Sequence, residues 1–151
     1  MGIAKLDHYS IRTSDIQRSV QFYGDVLDFF SGPRPPFNFS GAWLYSRPQD
    51  GEAGRAVVHL IGIAPGAAGS AAEATGTGSV DHIAFSATRI DELYARLKQH
   101  AIGFRERKVP NRELHQVFVK DPDGLTIELN YAQPDDIAAG TRSLAGAVPS
   151  N

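Results

Sequence analysis

The sequence predicts an α+β fold made of two βαβββ modules, and three observations carry that prediction. Residues 4–13 (AKLDHYSIRT) and 79–88 (SVDHIAFSAT) share one grammar: an apolar residue, Asp-His, then alternating polar and apolar side chains. Alternation with a period of two marks a strand. Each segment is followed at the same distance by a helix-start signal, Ser14 after His8 and Thr88 after His82. After each helix the chain returns to short strand patterns split by turn residues.

The elements follow in order. Ser14 with Gln17 forms a capping-box pattern, and Thr88 with Asp91 a looser one. Ile16, Val20, Tyr23 and Leu27 keep helical spacing in the first module, as do Ile90, Leu93, Tyr94 and Leu97 in the second. Strands are expected at 29–34, 41–47 and 55–63, separated by Pro33, Pro35, Pro36 and the Asp50-Gly51 turn. Their counterparts are 104–109, 114–120 and 126–130, separated by Pro110-Asn111 and by Asp121-Pro122-Asp123-Gly124. The expected organisation is one structural domain: a first module at 1–63, a small-residue linker at 64–78 and a second module at 79–131. The tail 132–151 is Ala/Gly/Pro-rich without periodicity and is expected to be partly disordered or draped on a partner. Two chance Asp-His pairs in an ordinary α+β domain are the bland alternative, and the matched distance to two helix starts argues against it.

Composition narrows the function. With 151 residues and 42% of them hydrophobic, the chain can bury a sizeable core. Its 15 basic and 17 acidic side chains leave a net charge of -2, which excludes a globally basic nucleic-acid footprint. It has no cysteine, so any metal must be held by nitrogen and oxygen. It has no apolar run long enough to span a membrane, and MGIAKLDH lacks the apolar core of a signal peptide. A cytoplasmic protein is the expectation.

Parity decides which side chains face away from the helices, because successive strand residues alternate faces. Ile127 and Leu129 share the face expected under a helix, leaving Glu128 on the other. A three-residue loop Pro122-Asp123-Gly124 pairs Asp121 with Leu125. Val119 then opposes Ile127, Phe118 opposes Glu128, and Gln116 opposes Asn130. Gln116 and Phe118 thereby join Glu128, whereas His115 falls on the helix side or at a strand end. A loop one residue shorter or longer reverses these faces. In 55–63, Val57, His59 and Ile61 share one face and Ala56, Val58 and Leu60 the other, with both faces apolar. On the opening strands, His8, Ser10 and Arg12 match His82, Ala84 and Ser86.

Four side chains that can bind metal therefore stand at repeat-related places: His8 and His82 on opening strands, His59 and Glu128 on closing strands. Two histidines and a carboxylate can form a facial triad with open positions, a donor set suited to Fe, Mn, Ni, Co or Zn. A single strand histidine is more often an ordinary hydrogen-bonded residue, so the repeat symmetry carries the weight. The segments LDHYSIRTSDIQRSVQFYGDVLDF, VDHIAF and VFVKDPDGLTIELN resemble the vicinal oxygen chelate superfamily over about residues 4–131. Its members include glyoxalase I, methylmalonyl-CoA epimerase, extradiol dioxygenases and the fosfomycin and bleomycin resistance proteins.

The resemblance implies a half-open barrel of two βαβββ modules around a divalent metal, and a homodimer. It places His8, His82 and Glu128 on ligand positions and His59 on the variable one. It also implies that Glu128 can serve as a base. Arg12 matches an arginine of some members and could hold a substrate carboxylate, or could be a solvated strand-end charge. Gln116 and Phe118 are expected to line the substrate cavity. Ile63 stands where glyoxalase I uses an asparagine for glutathione, and Gly78 where some members use a cation, so glutathione is in question.

Residues 33–45 (PRPPFNFSGAWLY) could cover the cavity and recognise an aromatic or apolar substrate, or could serve subunit packing. Arg105, Glu106, Arg107 and Lys108 read as an exposed strand edge. The leading expectation is a metal-dependent enzyme of glyoxalase type acting on a small molecule through adjacent oxygens. An Fe(II) ring-cleaving dioxygenase and a metal-free drug-binding protein are the alternatives. No nucleic acid or membrane partner is expected.

Overall fold

The computed structural model describes residues 6–48, 54–63, 77 and 79–146. The chain divides into two compact units, Met1–Gly76 and Thr77–Asn151. The first runs β1 (Tyr9–Thr13), α1 (Ile16–Asp25), β2 (Phe30–Gly32), β3 (Gly41–Tyr45) and β4 (Ala56–Gly62). Its sheet has the order β1-β4-β3-β2, with β1 parallel to β4 and the other pairs antiparallel. The second unit runs β5 (His82–Ala87), α2 (Ile90–Gln99), β6 (Phe104–Lys108), β7 (His115–Lys120), β8 (Thr126–Tyr131) and α3 (Pro134–Gly146). Its sheet repeats the first, β5-β8-β7-β6 with β5 parallel to β8. Most of the 64–78 stretch expected as a linker lies outside the described residues.

In the first unit, Ile11, Thr13, Leu44, Val58 and Leu60 are buried together with Phe22, Tyr23 and Val26 of the helix region. In the second, Ile90, Leu93 and Leu97 of α2 are buried, as are Val117, Val119, Ile127, Leu129 and Tyr131 of the sheet. Each large side chain so buried contributes about 1.5–3 kcal/mol. Alternation along each strand then sends His59, Glu128, Gln116 and Phe118 to the opposite face.

The β7–β8 connection fixes that outcome. Asp121 N donates to Leu125 O at 2.9 Å, and Asp121 Oδ1 accepts from Asp123 N at 3.0 Å and Leu125 N at 2.8 Å. Gly124 sits at φ 91, a left-handed position that glycine adopts without a steric penalty. The register pairs Phe118 with Glu128 and Gln116 with Asn130, as the three-residue loop requires.

Four local expectations change. The cap of α1 is Asp15 rather than Ser14, its side chain accepting from Arg18 N at 3.0 Å. Thr13 Oγ1 accepts from Asp15 N at 3.1 Å and holds that turn. α2 begins after Arg89, at φ 63, with no side-chain cap of its own. Its first N–H groups are met instead by the buried carboxylate of Asp136, which accepts from Arg89 N at 3.2 Å and Ile90 N at 2.8 Å.

That cap comes from α3, which occupies most of the tail expected to be irregular and packs against α2, β6 and β7. Its periodicity is hidden because small residues do the packing: a Cβ on Gly140 would lie 2.5 Å from the His115 ring. The charge run at 105–108 is also not uniformly exposed. Glu106 turns inward, where it accepts from Tyr94 Oη, from Ser143 Oγ at 2.6 Å, and from His115 Nε2 at 2.9 Å. Burial, and then the bond to Glu106, raise the Tyr94 phenol well above its ordinary range. His115 is wholly buried on the helix side, away from Glu128.

No helix among the described residues is long and apolar enough to cross a membrane.

Candidate metal centre

In the first unit, His8 precedes β1 and His59 lies in β4, where Ser10 pairs with His59. Their rings stack with centroids 3.9 Å apart and an interplanar angle of 21°. Trp43, the β3 partner of His59, stacks on the other side at 4.2 Å and 5°. His59 is thus a plate held between two rings. Burial and then the neighbouring His8 keep its pKa below the ordinary imidazole value, favouring the neutral form that binds metal.

His8 Nδ1 donates to Asp7 Oδ2 at 2.8 Å. A carboxylate can only accept, so Nδ1 carries a proton, and Nε2 is the nitrogen a neutral ring would offer as a lone-pair donor. Arg55 Nη2 in turn donates to Asp7 Oδ1 at 3.2 Å. The hydrogen bond from His8 is the largest influence holding the Asp7 carboxyl below its usual range. Arg12 lies on the same side of β1 as Ser10, exposed, and makes no ion pair with a described residue.

The second unit repeats the device and adds a carboxylate. His82 Nδ1 donates to Asp81 Oδ1 at 2.7 Å, again making Nε2 the nitrogen a neutral ring would offer to a ligand. That nitrogen faces Glu128 Oε2 at 3.4 Å. The other carboxylate oxygen, Oε1, is already engaged: Gln116 Nε2 donates to it at 2.9 Å and Asn130 Nδ2 at 2.8 Å. Gln116 Nε2 also reaches Asn130 Oδ1 at 2.9 Å, and Arg107 Nε donates to Gln116 Oε1 at 2.7 Å. Glu128 is buried, so this amide pair replaces the water its charge would otherwise hold. Phe118, beside Glu128, meets the His82 ring edge-on at 6.4 Å.

An imidazole nitrogen and a carboxylate oxygen thus face each other across 3.4 Å, a spacing that either a proton on the ring or a metal cation can bridge. Such a pair calls for a positive charge. Metal bonds of about 2.0–2.2 Å to N and O put neighbouring ligands roughly 3–3.5 Å apart, so the separation suits one edge of a coordination polyhedron. The carboxylate–histidine pairs at Asp7-His8 and Asp81-His82 are the usual way a metal-binding imidazole is oriented. Nitrogen and oxygen donors of this kind are chemically suited to a divalent cation, and each unit contributes two of them: His8 and His59 in the first, His82 and Glu128 in the second. Among the described residues, no three such groups are gathered around one point.

Sequence reasoning left Asp7, Asp81, Asn130 and Arg107 without roles. The two aspartates stand in the repeated Asp-His dipeptide itself. Gln116, expected to touch substrate, has its amide spent on holding Glu128.

Paired βαβββ units with a histidine at the head of each opening strand and a carboxylate on the last strand define a vicinal oxygen chelate protein. The chain belongs to the Glyoxalase/Bleomycin resistance protein/Dioxygenase superfamily, whose family model matches residues 5–129. It is 28% identical over 134 residues to a lactoylglutathione lyase of Salmonella typhimurium, covering 85% of this chain and 93% of that one. Among solved structures, the glyoxalase I of Leishmania major shares the fold with a TM-score of 0.61 and 21% identity, over 96% of this chain and 100% of that one. An antibiotic-binding protein of Streptomyces sp. CB03234 shares it with a TM-score of 0.58 and 22% identity, over 88% and 99%.

Proposed function

We propose that this chain is a divalent-metal-dependent enzyme of glyoxalase type, with lyase or isomerase chemistry on a small molecule bound through two adjacent oxygens. The observation that carries the reading is His82 Nε2 set 3.4 Å from Glu128 Oε2, the carboxylate oxygen that the two amides leave unengaged. His8, His82 and Glu128 hold the ion, with His59 as a fourth ligand. The two pairs are supplied by one chain or by two chains of a homodimer. Nitrogen and oxygen donors suit Fe, Mn, Ni, Co or Zn. When bound, such an ion polarises a carbonyl and stabilises negative charge developing on the substrate oxygens.

The protein's own groups do the rest. The amides of Gln116 and Asn130 fix Glu128 and leave Oε2 able to take a proton from a carbon next to the carbonyl and return it. Phe118 packs beside it, and Arg12 offers a cation for a substrate carboxylate. Similarity to a lactoylglutathione lyase supports this class of chemistry.

Metal analysis of protein purified without chelators tests the reading. About one divalent ion per site is expected, lost in Glu128→Ala together with turnover of α-ketoaldehyde–thiol adducts. A protein that retains no metal, and whose small-molecule binding survives Ala at His8 and Glu128, is a binding protein instead. Oxygen uptake with catechols would identify a dioxygenase.

A further inference from the structure

The second sheet carries a cation that the metal reading leaves unused. Register places Arg105 of β6 opposite Phe118 of β7, and Phe118 opposite Glu128 of β8, so the three form one row on one face. Strands are about 4.8 Å apart, which separates the outer two backbones by roughly 10 Å. Arg105 folds back over that interval, its guanidinium carbon 4.0 Å from the Phe118 ring centroid. A guanidinium lying on a ring keeps its N–H edge free for hydrogen bonds.

Arg105 is exposed and makes no ion pair with a described residue. Glu106, its neighbour in the chain, points to the other face and is taken up by Tyr94, His115 and Ser143. Arg107 already spends its Nε on Gln116. Of the acids near this row, Glu128 is held by the two amides and Asp81 by His82, and Arg105 and Lys120 act on Asp81 through their charge without contact. Alternation puts Lys120 on the same face, two residues beyond Phe118, which adds positive charge. The His82 ring lies 6.4 Å from the Phe118 ring and Arg105 a further 4.0 Å beyond it, so the gap is at most about 10 Å.

We infer that Arg105, seated on Phe118, binds a carboxylate of the substrate, one separated by a short carbon chain from the oxygens that meet the metal. A planar two-donor fork matches a carboxylate bidentately. The inference rests on the proposed metal site and narrows its substrate class to molecules bearing a remote carboxylate.

The test uses two probes of similar length. Glutaric acid monohydroxamate ends in a carboxylate, pentanohydroxamate ends in a methyl group, and both present the same chelating oxygens. A cobalt(II) titration followed by visible absorbance first tests the metal site alone. Both probes are then titrated calorimetrically into cobalt-loaded protein, or into metal-free protein if cobalt does not bind. The carboxylate probe is expected to bind about tenfold or more tightly. Arg105→Gln brings that ratio within about twofold and leaves pentanohydroxamate affinity unchanged, whereas Arg105→Lys keeps part of the preference. Lys98→Gln, removing the same charge on α2, leaves the ratio intact.

A wild-type ratio below about twofold overturns the inference. So does an equal loss in the Lys98 variant, or an equal loss of both probes in Arg105→Gln. If cobalt does not bind, a preserved ratio sinks the metal reading and leaves Arg105 as a carboxylate site without metal-bound oxygens beside it, which overturns the narrowed substrate class, while no binding of the carboxylate probe overturns the Arg105 site as well.

Discussion

The two units place related histidines at related positions and steady them by different means. Both opening strands begin with Asp-His, and in both the aspartate takes the Nδ1 proton. On the closing strand they diverge. His59 is gripped by rings, Trp43 on one side and His8 on the other. Glu128 is gripped by hydrogen bonds from Gln116 and Asn130. The aromatic character continues in the first unit, where Phe37 stacks on Phe39 at 5.1 Å and Arg34 lies over both. The second unit instead lines its face with amides and guanidinium groups. A neutral ligand can be held by dispersion, whereas a buried anion needs donors. The duplicated frame thus carries an apolar wall and a polar wall.

The largest effect should come from the polar wall. Glu128→Ala is expected to lower metal affinity by at least about 100-fold in a competition titration with a chromophoric chelator, and His59→Ala by clearly less. Equal losses would erase the distinction between the two closing strands.

Next is Gln116→Ala, which strips one donor from the buried carboxylate. An affinity loss of about 10- to 100-fold is expected, while Trp43→Phe, which keeps a stacking ring on His59, changes it only a few-fold. A Gln116 variant with wild-type affinity would show that Asn130 alone suffices.

Asp136→Ala removes the cap that α3 lends to α2. It should cost about 1–3 kcal/mol, a fall of roughly 3–8 °C in Tm, with metal affinity unchanged. An unchanged Tm would mean that the first turn of α2 finds other acceptors.

The smallest effects are expected at the exposed aspartates. Asp7→Asn and Asp81→Asn should each weaken metal binding by about tenfold or less. Both carboxyls are held below their usual range, mainly by the hydrogen bond from the adjacent histidine. A depressed carboxylate pKa means that their support is present above the ordinary value and lost only as pH falls through the lower one. From about pH 8 to pH 5 both aspartates stay ionised, so the ratio of wild-type to variant metal affinity should not change with pH.

What could be read from the sequence divides along the same physical lines. Period-two alternation and a single turn motif sufficed for the βαβββ order and for the shared face of Gln116, Phe118 and Glu128, because both are local. α3 was not legible. Its packing surface is built from Ala139, Gly140 and one larger residue, Ile137, too little apolar bulk to show a helical period. Nor was the inward turn of Glu106 legible, since its partners Tyr94, His115 and Ser143 come from three separate elements. Asp136 as the cap of α2 is likewise a long-range partnership that no local pattern announces.

The Asp121–Leu125 closure has a consequence for how such a molecule could change. Substituting residues along β7 or β8 alters what the sheet face opposite the helices is made of, one position at a time. Adding a single residue to the tip would swap every side chain on one strand at once, sending isoleucine and leucine onto that face and the carboxylate among the apolar residues beneath the helices. The chemistry of that face therefore changes by repainting these strands, while the length of that tip stays fixed.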